Sequence, residues 1–254
     1  MGNETLSDQR PDSVGGETPR VTCVMVTRDR PEFALKSIEC FNRQDYLERE
    51  LLIIDDGEDS LEHRLQLDED GLVVGDSRIR YVRLTHPTSI GAKRNHGCQQ
   101  AQSDIIVHWD DDDWMASWRL GYQVRSLIEY NAAVCGLDKL YFYEPERDQA
   151  WQYVYPDRAR FWVAGATLCY LKSFWRQNPF PNINVGEDTR FVWSGDARRM
   201  VALQDASFYV AMIHPGNTSR KRTSDPRYHP MAPELIREVM GGDFQAHAAL
   251  FKNL

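Results

Sequence analysis

Three short apolar runs constrain this chain more than anything else in it: VTCVMV (21–26), LLII (51–54) and IIVHW (105–109). A near-continuous apolar run of this length is what a strand shows when both its faces are covered, as in a parallel sheet. The intervals between the runs carry helical spacing. Pro31 suits the first turn of a helix, and Phe33, Leu35, Ile38 and Phe41 follow at helical intervals. Ile79, Tyr81, Val82 and Leu84 mark another strand, and residues 89–102 another helix. Strands alternating with helices imply βαβ units. The expected fold class is therefore α/β: a Rossmann-like single domain with a mostly parallel central sheet flanked by helices.

The second half is less regular. A helix is expected over 120–128. Segments 133–143, 151–155 and 161–170, rich in Val, Tyr, Phe and Trp, are expected as strands. A helix over 189–199 and a strand over 206–213 follow. After Pro226, Pro230 and Pro233 comes an amphipathic stretch with Leu235, Ile236, Val239, Met240 and Phe244. The expected organisation is a disordered lead-in at 1–20, one domain over 21–225 (halves 21–115 and 116–225), and a helical tail over 226–254. The tail is expected to dock on the domain or on a second copy in a homodimer.

Composition narrows the function classes. Apolar residues at 42% and charged residues at 27% are globular values and exclude a wholly disordered or fibrous chain. Thirty Lys and Arg against 38 Asp and Glu give a net charge of −8, which disfavours nucleic acid as a partner. No apolar run approaches the roughly 18–20 residues of a membrane span. The first twenty residues hold no apolar core of a secretory signal. The expectation is a cytoplasmic protein, with peripheral attachment at the inner membrane face as the variant. The five cysteines, at 23, 40, 98, 135 and 169, are odd in number and widely spaced. They read as reduced, buried thiols rather than a disulfide framework or a zinc site.

The three apolar runs share one property: each ends abruptly in charge. The first gives way to Thr27-Arg28-Asp29-Arg30, the second to Asp55-Asp56, the third to Asp110-Asp111-Asp112-Asp113. In a parallel sheet these ends share one edge, where open α/β sheets bind ligands. If the strand continued through the aspartates, Asp110 and Asp112 would face one side and Asp111 and Asp113 the other. Carboxylates so placed suit Mg2+ or Mn2+ shared with phosphate oxygens. The plain alternative is a solvated loop with Asp113 capping a following helix.

Ser89 is placed to cap the helix that holds Lys93, Arg94 and Asn95. Two cations in a first turn oppose the helix dipole unless an anion binds there; the alternative is a solvent-facing basic turn. In Gly186-Glu187-Asp188-Thr189, one carboxylate can cap a helix while the other serves as a general base. His214, followed by Pro215-Gly216-Asn217-Thr218-Ser219 and the cations Arg220, Lys221 and Arg222, is either a ligand to a metal or a structural histidine. Trp151, Trp162, Trp175 and Trp193 are either sugar-stacking platforms or core.

Taken in order, these motifs resemble the family-2 glycosyltransferases of the nucleotide-diphospho-sugar transferase (GT-A) fold, over roughly residues 20–220. VMVTRDRP resembles the first strand and turn, LLIIDDGEDS the second strand with its Asp-Asp, and GAKRNHG the Gly-x-x-Arg-Asn helix start. IIVHWDDDDW resembles the D-x-D strand end, PFPNINVGEDTRFVW the acceptor-side Glu-Asp motif, and HPGNTS the C-terminal loop. The resemblance implies an inverting, metal-dependent transfer of a sugar from a nucleotide-diphospho-sugar, UDP-linked above others, to a hydroxyl. The acceptor is an unidentified glycan, lipid-linked or small molecule. It implies nucleotide contacts from Thr27, Asp56, Lys93, Arg94, Asn95, Asp110 and Asp111. Mn2+ or Mg2+ would lie on Asp112 with Asp110 and His214, with Asp188 as base and Glu187 beside it. Arg28 stands where the family often has an aromatic residue, so an ionic contact replaces base stacking there. Two rival classes remain: a non-catalytic nucleotide-sugar-binding module, and a nucleotidyltransferase. The latter is disfavoured because Thr27-Arg28-Asp29-Arg30 is not a Gly-rich phosphate loop.

Overall fold

The computed structural model describes residues 18–157 and 159–251. The strands are β1 (Val21–Thr27), β2 (Arg49–Asp55), β3 (Leu72–Val73), β4 (Asp76–Arg83), β5 (Ile105–His108), β6 (Trp114–Met115), β7 (Val134–Gly136), β8 (Lys139–Glu144), β9 (Gln149–Val154), β10 (Cys169–Leu171), β11 (Met200–Ala202), β12 (Tyr209–Met212) and β13 (Tyr228–Met231). The helices are α1 (Pro31–Asn42), α2 (Ile90–Gln100), α3 (Arg119–Glu129), α4 (Lys172–Gln177), α5 (Glu187–Ser194), α6 (Pro233–Met240) and α7 (Phe244–Ala249).

The three apolar runs and the strand around Ile79 become the parallel centre β5-β1-β2-β4 of an eight-stranded sheet. Its register puts Ile79, Leu51, Cys23, Val107, Cys169, Cys135 and Val201 in one row across six strand junctions. The opposite face carries Val24, Ile106, Val134 and Tyr170. Both faces are buried, which is why these strands are apolar without alternation. All five cysteines are buried free thiols, and burial pushes the Cys23, Cys40, Cys98 and Cys135 thiols up.

The structure departs from expectation in its second half. β10 runs antiparallel between β5 and β7, so the sheet is mixed beyond its parallel centre. A second, five-stranded sheet, β13-β9-β8-β12-β6, stands beside it. Of the strand expected over 161–170 only β10 forms, because Gly165–Thr167 turn as a 3-10 helix. α5 starts at Glu187 and stops before Gly195, shorter than the 189–199 expected. β13 pairs with β9, so the second sheet extends past 225 and the helical tail begins at Pro233. Residues 1–17 of the expected lead-in lie outside the described residues.

The tail docks on the domain, with Ile236, Met240, Phe244, Ala248 and Phe251 buried. His247 is buried with them, and neither ring nitrogen has a hydrogen-bond partner among the described residues. Burial, with Lys36 and Arg43 nearby, pulls its pKa down to about 4. The folded chain therefore binds this proton more weakly than the unfolded chain, whose imidazole titrates near 6.5. The resulting stability is present above pH 6.5 and is lost as pH falls from 6.5 towards 4, by roughly 3 kcal/mol. Urea unfolding of wild type and His247→Leu at pH 7 and pH 4.5 checks this: the loss on acidification is expected to shrink in the variant.

Candidate active site

A cleft of about 990 Å3 opens at the carboxyl edge of the parallel strands, between the two sheets. Such a volume is at the upper end of ligand sites. Its floor is the aspartate run, which does not continue as a strand. β5 ends at His108 and the backbone bends at Asp111–Asp113, so the expected alternation of Asp110 and Asp112 against Asp111 and Asp113 does not hold. Asp110, Asp112 and Asp113 instead bring one carboxylate oxygen each within 4.8 Å of one another. Asp111 turns away: it accepts a hydrogen bond from Thr27 Oγ1 at 2.6 Å and pairs with Arg30 at 2.8 Å. Asp113 caps no helix. It accepts from the Tyr209 hydroxyl and from the Met212 N–H at 2.7 Å.

Asp112 is the most heavily supported of the four. Arg30 Nη1 lies 2.7 Å and His214 Nε2 3.0 Å from its Oδ2, with Asn217 Nδ2 at 3.4 Å. His214 Nδ1 accepts the Gly216 N–H at 3.2 Å, so the hydrogen-bond pattern puts the ring proton on Nε2, facing Asp112. His214 therefore stands behind Asp112 and orients it, the position of a ligand's supporting partner. Burial opposes the charge on Asp112, yet the His214 hydrogen bond and Arg30 hold its carboxyl below the usual range. Burial, reinforced by neighbouring carboxylates, pushes Asp110, Asp111 and Asp113 up. Three such hard oxygen donors, partly desolvated and mutually repelling, fit a divalent cation.

Ser89 caps α2 as expected, accepting the Ala92 N–H at 3.2 Å. The two cations of that helix are buried in ion pairs. Lys93 Nζ binds Asp56 at 2.7 Å and the Thr27 carbonyl at 3.0 Å, and Asp56 also accepts the Thr88 N–H. Arg94 pairs with Glu187 and lies 3.7 Å from Asp110. Asn95 points away from the cleft, where it bonds Phe180 and Trp175. Arg28 lines the cleft, half-exposed and paired with Asp29.

Gly186, in the left-handed region at φ 79°, starts α5 and presents Glu187 and Asp188. Glu187 is buried against Arg94, and burial pushes its carboxyl up. Asp188 stays half-buried on the cleft wall, with Oδ1 accepting the Thr189 N–H at 2.6 Å. Its side chain lies directly on Gly165: a Cβ there would fall 2.5 Å from Asp188 Cβ and 2.6 Å from Cγ. Of the four tryptophans, only Trp162 lines the cleft, its Nε1 donating to Thr189 Oγ1 at 3.1 Å. Trp151 is core, Trp175 bonds Asn95, and Trp193 bonds the Phe161 carbonyl. Arg220, Lys221 and Arg222 line the same cleft, and the charge of Lys221 helps to hold Asp110 and Asp112 ionised. Sequence reasoning passed over Arg30, Tyr209 and Gly165. Only the first carried a signal, as a cation beside a strand end.

Carboxylates gathered where parallel strands end, with a smaller sheet closing the cleft, define a GT-A fold. The solved structures of similar shape agree. S. aureus TarS 1-349 in complex with UDP-GlcNAc superposes with a TM-score of 0.63 over 92% of this chain and 68% of that one, at 17% identity. The mannosyltransferase PcManGT from Pyrobaculum calidifontis, in complex with GDP-Man and Mn2+, gives 0.57 over 83% and 60%, at 18% identity. The profile of glycosyl transferase family 2 matches residues 22–179, more than half of the chain; this protein belongs to that family. Among curated relatives, a putative colanic acid biosynthesis glycosyl transferase, WcaA of Escherichia coli K12, is 34% identical over 95 residues, 37% of this chain and 33% of that protein. A GalNAc(5)-diNAcBac-PP-undecaprenol beta-1,3-glucosyltransferase of Campylobacter jejuni is 26% identical over 123 residues, 46% of this chain and 38% of that protein. The chain thus spans about a third of the length of these relatives. Among the described residues no helix is long and apolar enough to cross a membrane.

Proposed function

We propose that this chain transfers a sugar from a nucleotide-diphospho-sugar, UDP-linked above others, to a hydroxyl of a saccharide acceptor, with inversion at the anomeric carbon. One observation carries the reading: a three-carboxylate cluster fit for a divalent cation shares its cleft with a half-buried carboxylate, Asp188, on a separate wall. Similarity supports the donor class, since TarS is seen with UDP-GlcNAc and PcManGT with GDP-Man and Mn2+.

Asp110, Asp112 and Asp113 would hold Mn2+ or Mg2+, which when bound offsets charge on the departing diphosphate. His214 and Arg30 keep Asp112 ionised and aimed. Arg220, Lys221 and Arg222, in the same cleft, supply further positive charge to the diphosphate. Asp188 takes the proton of the acceptor hydroxyl as its oxygen bonds to the anomeric carbon. The bond from that carbon to the phosphate oxygen breaks, and its electron pair leaves with the nucleoside diphosphate. Trp162, tied to the residue after Asp188, offers the acceptor ring an apolar edge. The names of the curated relatives, which refer to colanic acid and to an undecaprenol-diphosphate-linked glycan, favour a glycan acceptor, lipid-linked in the second case.

A thermal-shift series with UDP, GDP, dTDP and CDP, each with Mn2+ or EDTA, tests the donor half. A ligand at 100 times its Kd adds about 2.7 kcal/mol, or roughly 5–10 °C in Tm. The expected shift occurs with one diphosphate, requires Mn2+, and vanishes in Asp112→Ala. Cooperative melting with no shift under any condition would sink the reading.

A further inference from the structure

Arg119, the first residue of α3, is fully buried, and no carboxylate lies within ion-pair distance of it among the described residues. Its guanidinium is ringed by aromatic groups, with its centre 5.1 Å from the Trp109 ring, 5.2 Å from Tyr209 and 5.9 Å from Phe208. Its hydrogen bonds go to neutral acceptors: Nε to Gln123 Oε1 at 2.9 Å, and Nη2 to the His108 carbonyl at 2.7 Å and the Ala166 carbonyl at 3.0 Å. Nη1 has no partner among the described residues. The charge of Asp110 favours its ionised form only from beyond ion-pair distance; a buried cation so compensated is costly, and well-packed apolar side chains often stabilise such a place better. Packing alone therefore does not account for it.

The two carbonyls identify what it joins. His108 is the last residue of β5, and the aspartate run starts two residues later. Ala166 lies in the turn whose Gly165 bears on the Asp188 side chain. Gln123, one helical turn on, extends the same clamp, its Nε2 donating to the Thr167 carbonyl at 2.6 Å. Planar, fixed N–H groups suit this task in a way a lysine ammonium does not.

We propose that Arg119 is a positioning residue that, by bridging the His108 and Ala166 carbonyls beside the direct contact of His108 Nδ1 with the Gly165 carbonyl at 2.7 Å, fixes the separation between the carboxylate cluster and Asp188. The proposal rests on the transferase reading for its effect on rate, but not for its effect on geometry. The test compares wild type, Arg119→Met and Arg119→Lys by crystallography, by Mn2+-dependent UDP binding, and by UDP or GDP release from UDP-GlcNAc, UDP-glucose and GDP-mannose. In Arg119→Met the Gly165–Thr167 turn and Asp188 are expected to shift by about 1 Å relative to Asp110 and Asp112. UDP affinity is expected to stay within about threefold while kcat falls roughly 100-fold at little-changed KM. Arg119→Lys, with the charge but not the fork, is expected to fall between. Unchanged geometry in both variants overturns the proposal, as does wild-type kcat. Failure of both variants to fold also overturns it and makes Arg119 a stability element. Absence of nucleotide binding and turnover in wild type would instead sink the transferase reading and leave the crystallographic comparison to decide on Arg119.

Discussion

Asp188→Asn is expected to lower kcat by roughly 10²–10⁴-fold, the usual range for removing a general base, while Mn2+-dependent nucleoside diphosphate affinity changes less than about threefold. The asymmetry follows from the geometry. The Asp188 side chain touches the Thr189 N–H and Gly165 and carries no ion pair within 4 Å among the described residues, whereas the cluster lies on another element. Asparagine keeps the shape and the Oδ1 acceptor but cannot take a proton from a hydroxyl. Isothermal titration with UDP and Mn2+, paired with single-turnover rates, separates the two effects. Joint loss of binding and turnover would make Asp188 a structural residue and move the base elsewhere.

Gly165→Ala is expected to produce nearly as large a loss of rate without removing any polar group. The added methyl would overlap the Asp188 carboxyl group and its Cβ. Asp188 belongs to the first turn of α5, and Gly165 to a turn tied to His108 and Arg119. One of the two must therefore move. Overpacking of this kind costs about 1–3 kcal/mol in stability, and a shift of about 1 Å at a reacting group costs on the order of 100-fold in rate. Urea unfolding and kcat measured on the same preparation check both parts. A variant that turns over at the wild-type rate would show that the placement of Asp188 is not limiting.

The parts of this site that could be read from the sequence are those with short-range signatures. Residues 21–26, 51–54 and 105–109 carry the burial of parallel strands in their own composition, so the charged residues after them had to share an edge. Ser89, three residues before Ala92, carries its capping role locally. The rest depends on partners far along the chain. Asp113 joins the cluster because Tyr209 and Met212 receive it; Arg94 and Lys93 are consumed by Glu187 and Asp56. Arg30 reaches Asp111 and Asp112 across some eighty residues of chain. The second sheet was missed for the same reason: the runs at 139–144 and 149–154 form a hairpin whose other partners, β12 and β13, lie much later. No local pattern encodes a register of that kind.

The docking of the C-terminal helices has a consequence for the order of events in folding. Phe251 packs on both His214 and Phe33, with ring centroids 5.1 Å and 4.8 Å apart, and Asp243 accepts from the indole of Trp114, the residue after the aspartate run. The supports of the cluster thus come from Arg30 after the first strand, from His214 late in the second sheet's half, and from residues 243–251 around α7. Contacts of such long range form late, after the loops between them have closed. A chain refolding from denaturant holds every aspartate of the cluster in its parallel-sheet half before residues 233–251 dock and brace them. If the cluster holds an ion as proposed, that binding is expected to appear with the docking of α6 and α7 rather than with formation of the parallel sheet.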